Sequence, residues 1–438
     1  MGNWFHRWSG KTSPRKTCRV FPPAVTILES RIALAGNVTA VVAGGNLIIR
    51  GDNAGAAITL SQPGPGQITV TGQDTTVNGS AAPVTLSSVK RDVRVFFGDG
   101  DDSLTFDEGA PLTVAGNLFV DGGSGSNTVT VGASGPLAAA AGVAALKVGG
   151  DLTIHNLPSG TQLVSLFDLS VQGNVRIVNQ GGDALTQIDS FGGSNTIGGN
   201  LLVADGPGQS DETDLGSIQV KGNVQVLNLG AVAITSIQSF DGSNFIGGDL
   251  IAIDGPGQIA QTVIGGTRVG HNLLVAESGQ AQNTILILSA RVSGITDLAA
   301  ASGDSTVFVD GATFDGAFAV RTGGGTDRVS IGTGAVLTQI RLVPVQIIVI
   351  RNGVEVVETQ LRAVQEQTRI AAGPVTFNGA PTGNLGDGDD TLSLALGAPV
   401  TFKKKPTLDG GNGNNTANVR LANLAAEPPL THFSVNTV

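Results

Sequence analysis

The 438-residue chain has one cysteine, no tyrosine, two tryptophans and four histidines, and only 14% of its residues are charged. Each shortage removes a class of explanation. A lone Cys18 permits no intrachain disulfide, so stability has to come from packing. His6, His155, His271 and His432 are scattered, with no metal-ligand spacing among them. No Gly-x-Ser-x-Gly elbow, Ser/His/Asp motif or phosphate-binding loop occurs. The longest apolar run, Leu137 to Leu146, falls short of the roughly 18 residues of a membrane helix, so no membrane span is expected. That run fits an Ala-rich insertion, because Asn117 to Asp151 exceeds one repeat unit.

What the chain has in excess is glycine, 64 residues, and acid, with a formal net charge of −10. Collagen is excluded because the glycines follow no strict triplet, and disorder is excluded by a hydrophobic content of 40%. Six of the basic residues (Arg7, Lys11, Arg15, Lys16, Arg19, Arg31) lie in the first 31 positions beside one acid, Glu29. The rest of the chain therefore has 19 basic against 34 acidic residues. An acidic body lacks the basic footprint that nucleic acid requires, and it is compatible with cations.

The chain is organised around an internal repeat. Val171-Gln-Gly-Asn-Val-Arg-Ile-Val-Asn returns 49 residues on as Val220-Lys-Gly-Asn-Val-Gln-Val-Leu-Asn, and a third copy opens at Val269. A Gly-Asn or Gly-Asp turn followed by alternating apolar residues recurs at Asp151, Asn174, Asn200, Asn223, Asp249 and Asn272, spaced 23, 26, 23, 26 and 23 (His271 takes the Gly position in the last). Such a period means units that bury their apolar faces only by stacking on neighbours. Alternation of period 2 makes those units strands, and the Gly-Asn pairs are turn chemistry. Leucine-rich repeats need a Leu-x-x-Leu-x-Leu ladder, and propellers a longer, aromatic-marked period. Neither is present. The expectation is an all-β parallel β-helix, a β-solenoid with coils of about 24 residues. Roughly 12 to 16 coils would make a rod of about 60–75 Å.

Four segments follow: a basic export or disordered segment over 1–35, a solenoid over 36–335, an interruption over 336–372, and C-terminal coils over 373–438. Val38 to Val89 reads as first coils or a β cap. In the interruption, an Asn352-Gly353 turn between apolar runs predicts a hairpin, with Leu361 to Ile370 a short helix or a further strand. The module around Gly98-Asp-Gly-Asp-Asp-Ser-Leu returns as Gly386-Asp-Gly-Asp-Asp-Thr-Leu at an offset of 288, flanking the central repeat. Asn195, Asn200, Asn223, Asn244 and Asn272 recur in register and predict a hydrogen-bonded side-chain ladder along the axis.

Two resemblances add to this reading. Leu28-Glu-Ser-Arg-Ile-Ala-Leu-Ala, after its basic arm, resembles the opening motif of planctomycete-type exported repeat proteins, which implies a secreted or cell-surface location. Ala33-Leu34 stands where that motif commonly has two Leu. The Gly-Asp-Gly-Asp-Asp turns resemble the calcium-binding nonapeptide of RTX proteins, Gly-Gly-x-Gly-x-Asp-x-apolar-x. That resemblance implies calcium, with Asp99, Asp101, Asp102, Asp387, Asp389, Asp390 and, in a weaker match, Asp327 as ligands. RTX sites form between tandem nonapeptides, whereas these matches stand alone, and the alternative is corner geometry without a metal. Asp205, Asp211, Glu212 and Asp214 cluster near Gly206-Pro-Gly and read as a decorated loop. The function expected is a non-enzymatic structural or adhesive surface solenoid, whose partners would be a surface polysaccharide or other surface proteins. The alternative is a carbohydrate-active β-helix enzyme, which would need convergent carboxylates along one face.

Overall fold

Alternation of inward apolar and outward residues over short runs, punctuated by Gly-Asn, folds this chain into stacked coils. A computed structural model describes residues 36–107, 111–132, 145–190, 194–239, 244–351 and 354–438. It is 61% strand and forms a parallel β-solenoid of about 12 turns, as the repeat implies. Three sheets of 16, 16 and 11 strands run the length of the solenoid. No helix among the described residues is long and apolar enough to cross a membrane.

One coil illustrates the plan. Val224–Asn228 lies in the first sheet, Val232–Gln238 in the second and Asn244–Ile246 in the third. Val224, Val226 and Asn228 point inward and are buried, while Gln225 and Leu227 point outward. Equivalent strands pair in parallel with the coils above and below, Leu201↔Val224↔Leu250 in the first sheet and Ser210↔Val232↔Ile259 in the second. Inward Val, Ile and Leu form one continuous core along the axis. In the C-terminal coils that core includes stacked rings, Phe314 on Phe377 and Phe377 on Phe402, each pair with centroids 5.3 Å apart.

The ends and interruptions have physical logic. At the N-terminal end Asn37–Ala43 runs antiparallel to Asn46–Arg50, and Ala57–Gly64, Gln67–Gln73 and Val84–Ser87 form an antiparallel meander. This is the expected cap, and it covers backbone groups that a bare edge would leave unpaired. The Ala-rich run lies largely outside the described residues. The predicted hairpin is two 17-residue strands, Ala335–Arg351 and Val354–Ile370, antiparallel throughout. Leu361 to Ile370 is therefore strand, because it pairs with Ala335 to Pro344; the Asn352-Gly353 turn lies outside the described residues. The hairpin is an insertion within one coil: Thr313 and Phe314 before it pair with Thr376 and Phe377 after it. The duplicated modules sit near the two ends, Ser103–Phe106 beside the cap and Thr391–Leu394 in the last coils.

Corners demand glycine where one coil's backbone rests on the next. Gly123 has φ +68°, and a Cβ there would run into the Gly98 carbonyl below it. Gly44 has φ +58° but open space around it. Gly123→Ala is expected to cost at least about 2 kcal/mol, more than the roughly 1–2 kcal/mol of left-handed backbone alone at Gly44→Ala. Urea unfolding of the two variants checks this, and equal losses would contradict the stacking account.

Candidate functional site

Polar side chains organise the solenoid at three levels: a ladder on its surface, caps at one corner, and a column inside. The surface ladder is built from the Gly-Asn turns. Asp151 Oδ1 accepts the Asn174 N–H, Asn174 that of Asn200, Asn200 that of Asn223, Asn223 that of Asp249, and Asp249 that of Asn272, at 2.7–3.0 Å. Asn195 and Asn244 do the same from the third sheet, accepting the N–H of Leu169 and of Ile218. The expected ladder is therefore present, but it runs from side chain to backbone, toward the next coil at the Gly-Asn turns and toward the preceding coil from Asn195 and Asn244. An Asx oxygen satisfies an N–H that a turn would otherwise leave bare.

The Gly-Asp-Gly-Asp-Asp corners work the same way. Asp102 Oδ1 accepts the Ala56 N–H at 2.7 Å, Asp327 that of Ser305 at 2.8 Å, and Asp390 that of Asp327 at 2.9 Å. Asn127 and Asn415 occupy the same position and accept the N–H of Asp102 and of Asp390. Asp101 and Asp389 accept from the Ser126 and Asn414 N–H groups at 2.8 Å. Asp99 and Asp387 accept from the Ser124 hydroxyl and the Asn412 amide. Burial pushes the Asp102 carboxyl up to about 7 and raises Asp390. Calcium wants six to eight oxygens around one point. These seven acids instead each reach a neighbouring coil, and among the described residues no three His, Cys, Asp or Glu converge for an ion. The second carboxyl oxygens of Asp102, Asp327 and Asp390 are buried without a hydrogen-bond partner, so in this arrangement the corner acids act as backbone caps with one oxygen each left over.

The interior column is the feature that the turn motifs conceal. The last residue of each first-sheet strand points inward, and over six coils these residues are Asn156, Asn179, Asp205, Asn228, Asp254 and Glu277. None is more than 1% exposed. Asn156 donates to Asn179, Asn179 to Asp205 and Asn228 to Asp254, at 2.7, 2.7 and 3.1 Å. A parallel threonine column supports them from the second sheet. Thr235 and Thr262 donate to Asp254 at 2.7 and 2.9 Å, and the Thr213 hydroxyl lies between Asp205 Oδ2 and Asn228 Oδ1, 3.3 and 3.0 Å away. Desolvation raises both Asp205 and Asp254 to about 7 and lifts Glu277 well above its ordinary value.

Asp211 to Asp214 are not loop residues. They lie in the second-sheet strand Ser210–Leu215, pairing with Ala184–Ile188 below and Val232–Ile237 above. Alternation splits the acids. Asp211 points inward where its neighbours have Ala184 and Ala233, and neither of its oxygens has a well-oriented partner. Glu212 points outward between Leu185 and Ile234, where it is 3% exposed because the long hairpin lies over it. The Glu212 carboxylate accepts the Leu342 N–H, and Gln261 pairs with both N–H and C=O of Ile340 at 3.0 Å. Leu342 and Leu361 pack on Ile234, and Ile370 packs on the cluster of Val263, Leu286 and Phe308. Desolvation raises Asp211 and Glu212 to about 8, and raises Asp214. Sequence periodicity could not separate these acids from turn residues, because the neighbouring copies put Ala and Gln at the same positions.

The chemistry available is thus largely internal: proton uptake on buried carboxyls and hydrogen bonding between coils. No protein-family model, curated protein or solved structure matches the chain.

The buried acids fix how stability depends on pH. Asp205, Asp211, Glu212 and Asp254 titrate near 4 when unfolded and near 7 to 8 when folded, so the folded state holds more protons between those values. Their stabilising contribution is full below about pH 4 and is lost as pH rises through about 7 to 8. The unfolding free energy is expected to fall by several kcal/mol between pH 5 and pH 9, and by less in Asp254→Asn. Urea titrations across that range check it; a stability that rises toward pH 9 would contradict it.

Proposed function

We propose that this protein is a structural or adhesive scaffold at the cell surface or outside the cell. One observation carries the reading: the acids of the repeat reach from coil to coil, in the surface ladder, the corner caps and the interior column, and so serve the stiffness of the stack. A solenoid built this way is quasi-one-dimensional, rigid and regularly decorated, properties that suit a spacer or adhesive stalk. Its partners would be a surface polysaccharide or another surface protein. The basic N-terminal segment with Leu28-Glu-Ser-Arg supports an exported location through its resemblance to exported repeat proteins.

Protease shaving of intact cells that produce the chain, followed by fractionation, tests the location. The chain is expected in the surface or medium fraction and to be lost on shaving; recovery only from the cytosol would overturn the proposal.

A further inference from the structure

Parallel sheets generally have both faces covered, and this chain covers the second sheet with its own hairpin. The outer face of the first sheet has an apolar stretch with no such cover among the described residues. Across the six coils from Val175–Asn179 to Thr296–Ala300 it presents Val178, Leu202, Leu227, Ile251, Ile253 and Leu274, all partly exposed, with alanines between them. Gln225 is the one polar residue inside the stretch. Scattered exposed apolar residues are ordinary, but a contiguous flat stretch marks an interaction surface.

The charges at its two ends say what fits it. Arg176 is exposed at one end, and Asp297 lies at the other in the same outward column. Asp297 also pairs with Arg321 of its own chain at 2.7 Å. A two-fold axis along the strand direction, between Val224–Asn228 and Leu250–Asp254, would reverse the order of coils. Arg176 then meets Asp297 of the other copy, Leu202 meets Leu274, and Leu227 meets Ile253. Such an isologous contact uses one patch twice. Within these six coils the face carries no aromatic ring on which a sugar could stack; Phe96 and Phe119 point outward from the same sheet but lie in earlier coils. We propose that this protein self-associates through the first-sheet face, two copies packing face to face with their axes opposed.

Six coils at about 4.8 Å spacing and five-residue strands give roughly 500 Å² per copy. That is less than the about 800 Å² per partner of a standard stable interface, so the dimer is a weak, concentration-dependent one.

Sedimentation velocity of the full chain, from low micromolar to near-millimolar concentration, tests this. The mass is expected to climb toward twice that of the chain. Leu227→Lys is expected to hold it at one chain mass with an unchanged thermal midpoint, since the side chain faces outward. Arg176→Glu, fully on the surface, is expected to raise the dissociation constant at least tenfold, which keeps the test decisive if the lysine variant folds poorly. A wild-type chain that remains monomeric throughout overturns the proposal and leaves the face to another occupant. Undiminished association in Arg176→Glu overturns it too.

Discussion

The structure depends on the in-register contact between a buried polar side chain in one coil and its equivalent in the next. Backbone ladders would tolerate a slip of one residue, but the side chains would not. Shifting Val224–Asn228 by one position would turn Asn228 away from Asp254 and Thr235 and drive Gln225 into the core. The Asn, Asp and Thr column therefore fixes register where an all-aliphatic interior would leave it loosely set. The cost is desolvation, offset only where donors face each oxygen. Asp254, with donors from Asn228, Thr235 and Thr262, is well supplied. Asp211 and Glu277 lack well-oriented partners, and both are pushed toward the protonated form.

Around that column the coil lengths follow. Coils alternate between 23 and 26 residues through the central repeat because the corner between second and third sheets alternates in length, while the inward positions stay constant. Larger insertions leave at corners for the same reason. The hairpin enters and leaves between Ile331 and Val375, and then lies back over second-sheet side chains that would otherwise face water. Covering an apolar outer face with a strand pair is one answer to the exposure of a parallel sheet; among the described residues the first sheet has no such cover.

Much of this was legible in the sequence, for a physical reason. Turn residues and inward apolar residues cannot drift without breaking the stack, so the Gly-Asn period, the coil length and the offset-288 modules all survive as pattern. The Asn ladder was legible because Asn174, Asn200 and Asn223 sit where only an Asx oxygen reaches the next N–H. The interior column was not, since Asn179, Asp205 and Asn228 end strands beside turns and look like turn residues. Asp102 and Asp390 are ambiguous in a related way: a Gly-rich corner with an inward Asp serves an ion site and a backbone cap equally well in one dimension. The capping is visible only in space, because the Ala56 and Asp327 N–H groups they accept from are 46 and 63 residues away in sequence. The strand Ser210–Leu215 was hidden because its acids stand where the next coil has alanine and isoleucine.

The claim that carboxyls inside the solenoid hold the coils together as protonated hydrogen-bonding groups can be measured directly. Infrared spectroscopy in heavy water resolves the carbonyl stretch of a protonated carboxyl from that of a carboxylate. At pH 6 the folded protein is expected to show a protonated-carboxyl band that fades between about pH 7 and 8 and is reduced in Asp254→Asn. A folded protein whose carboxyls are all ionised at pH 6 would contradict the account.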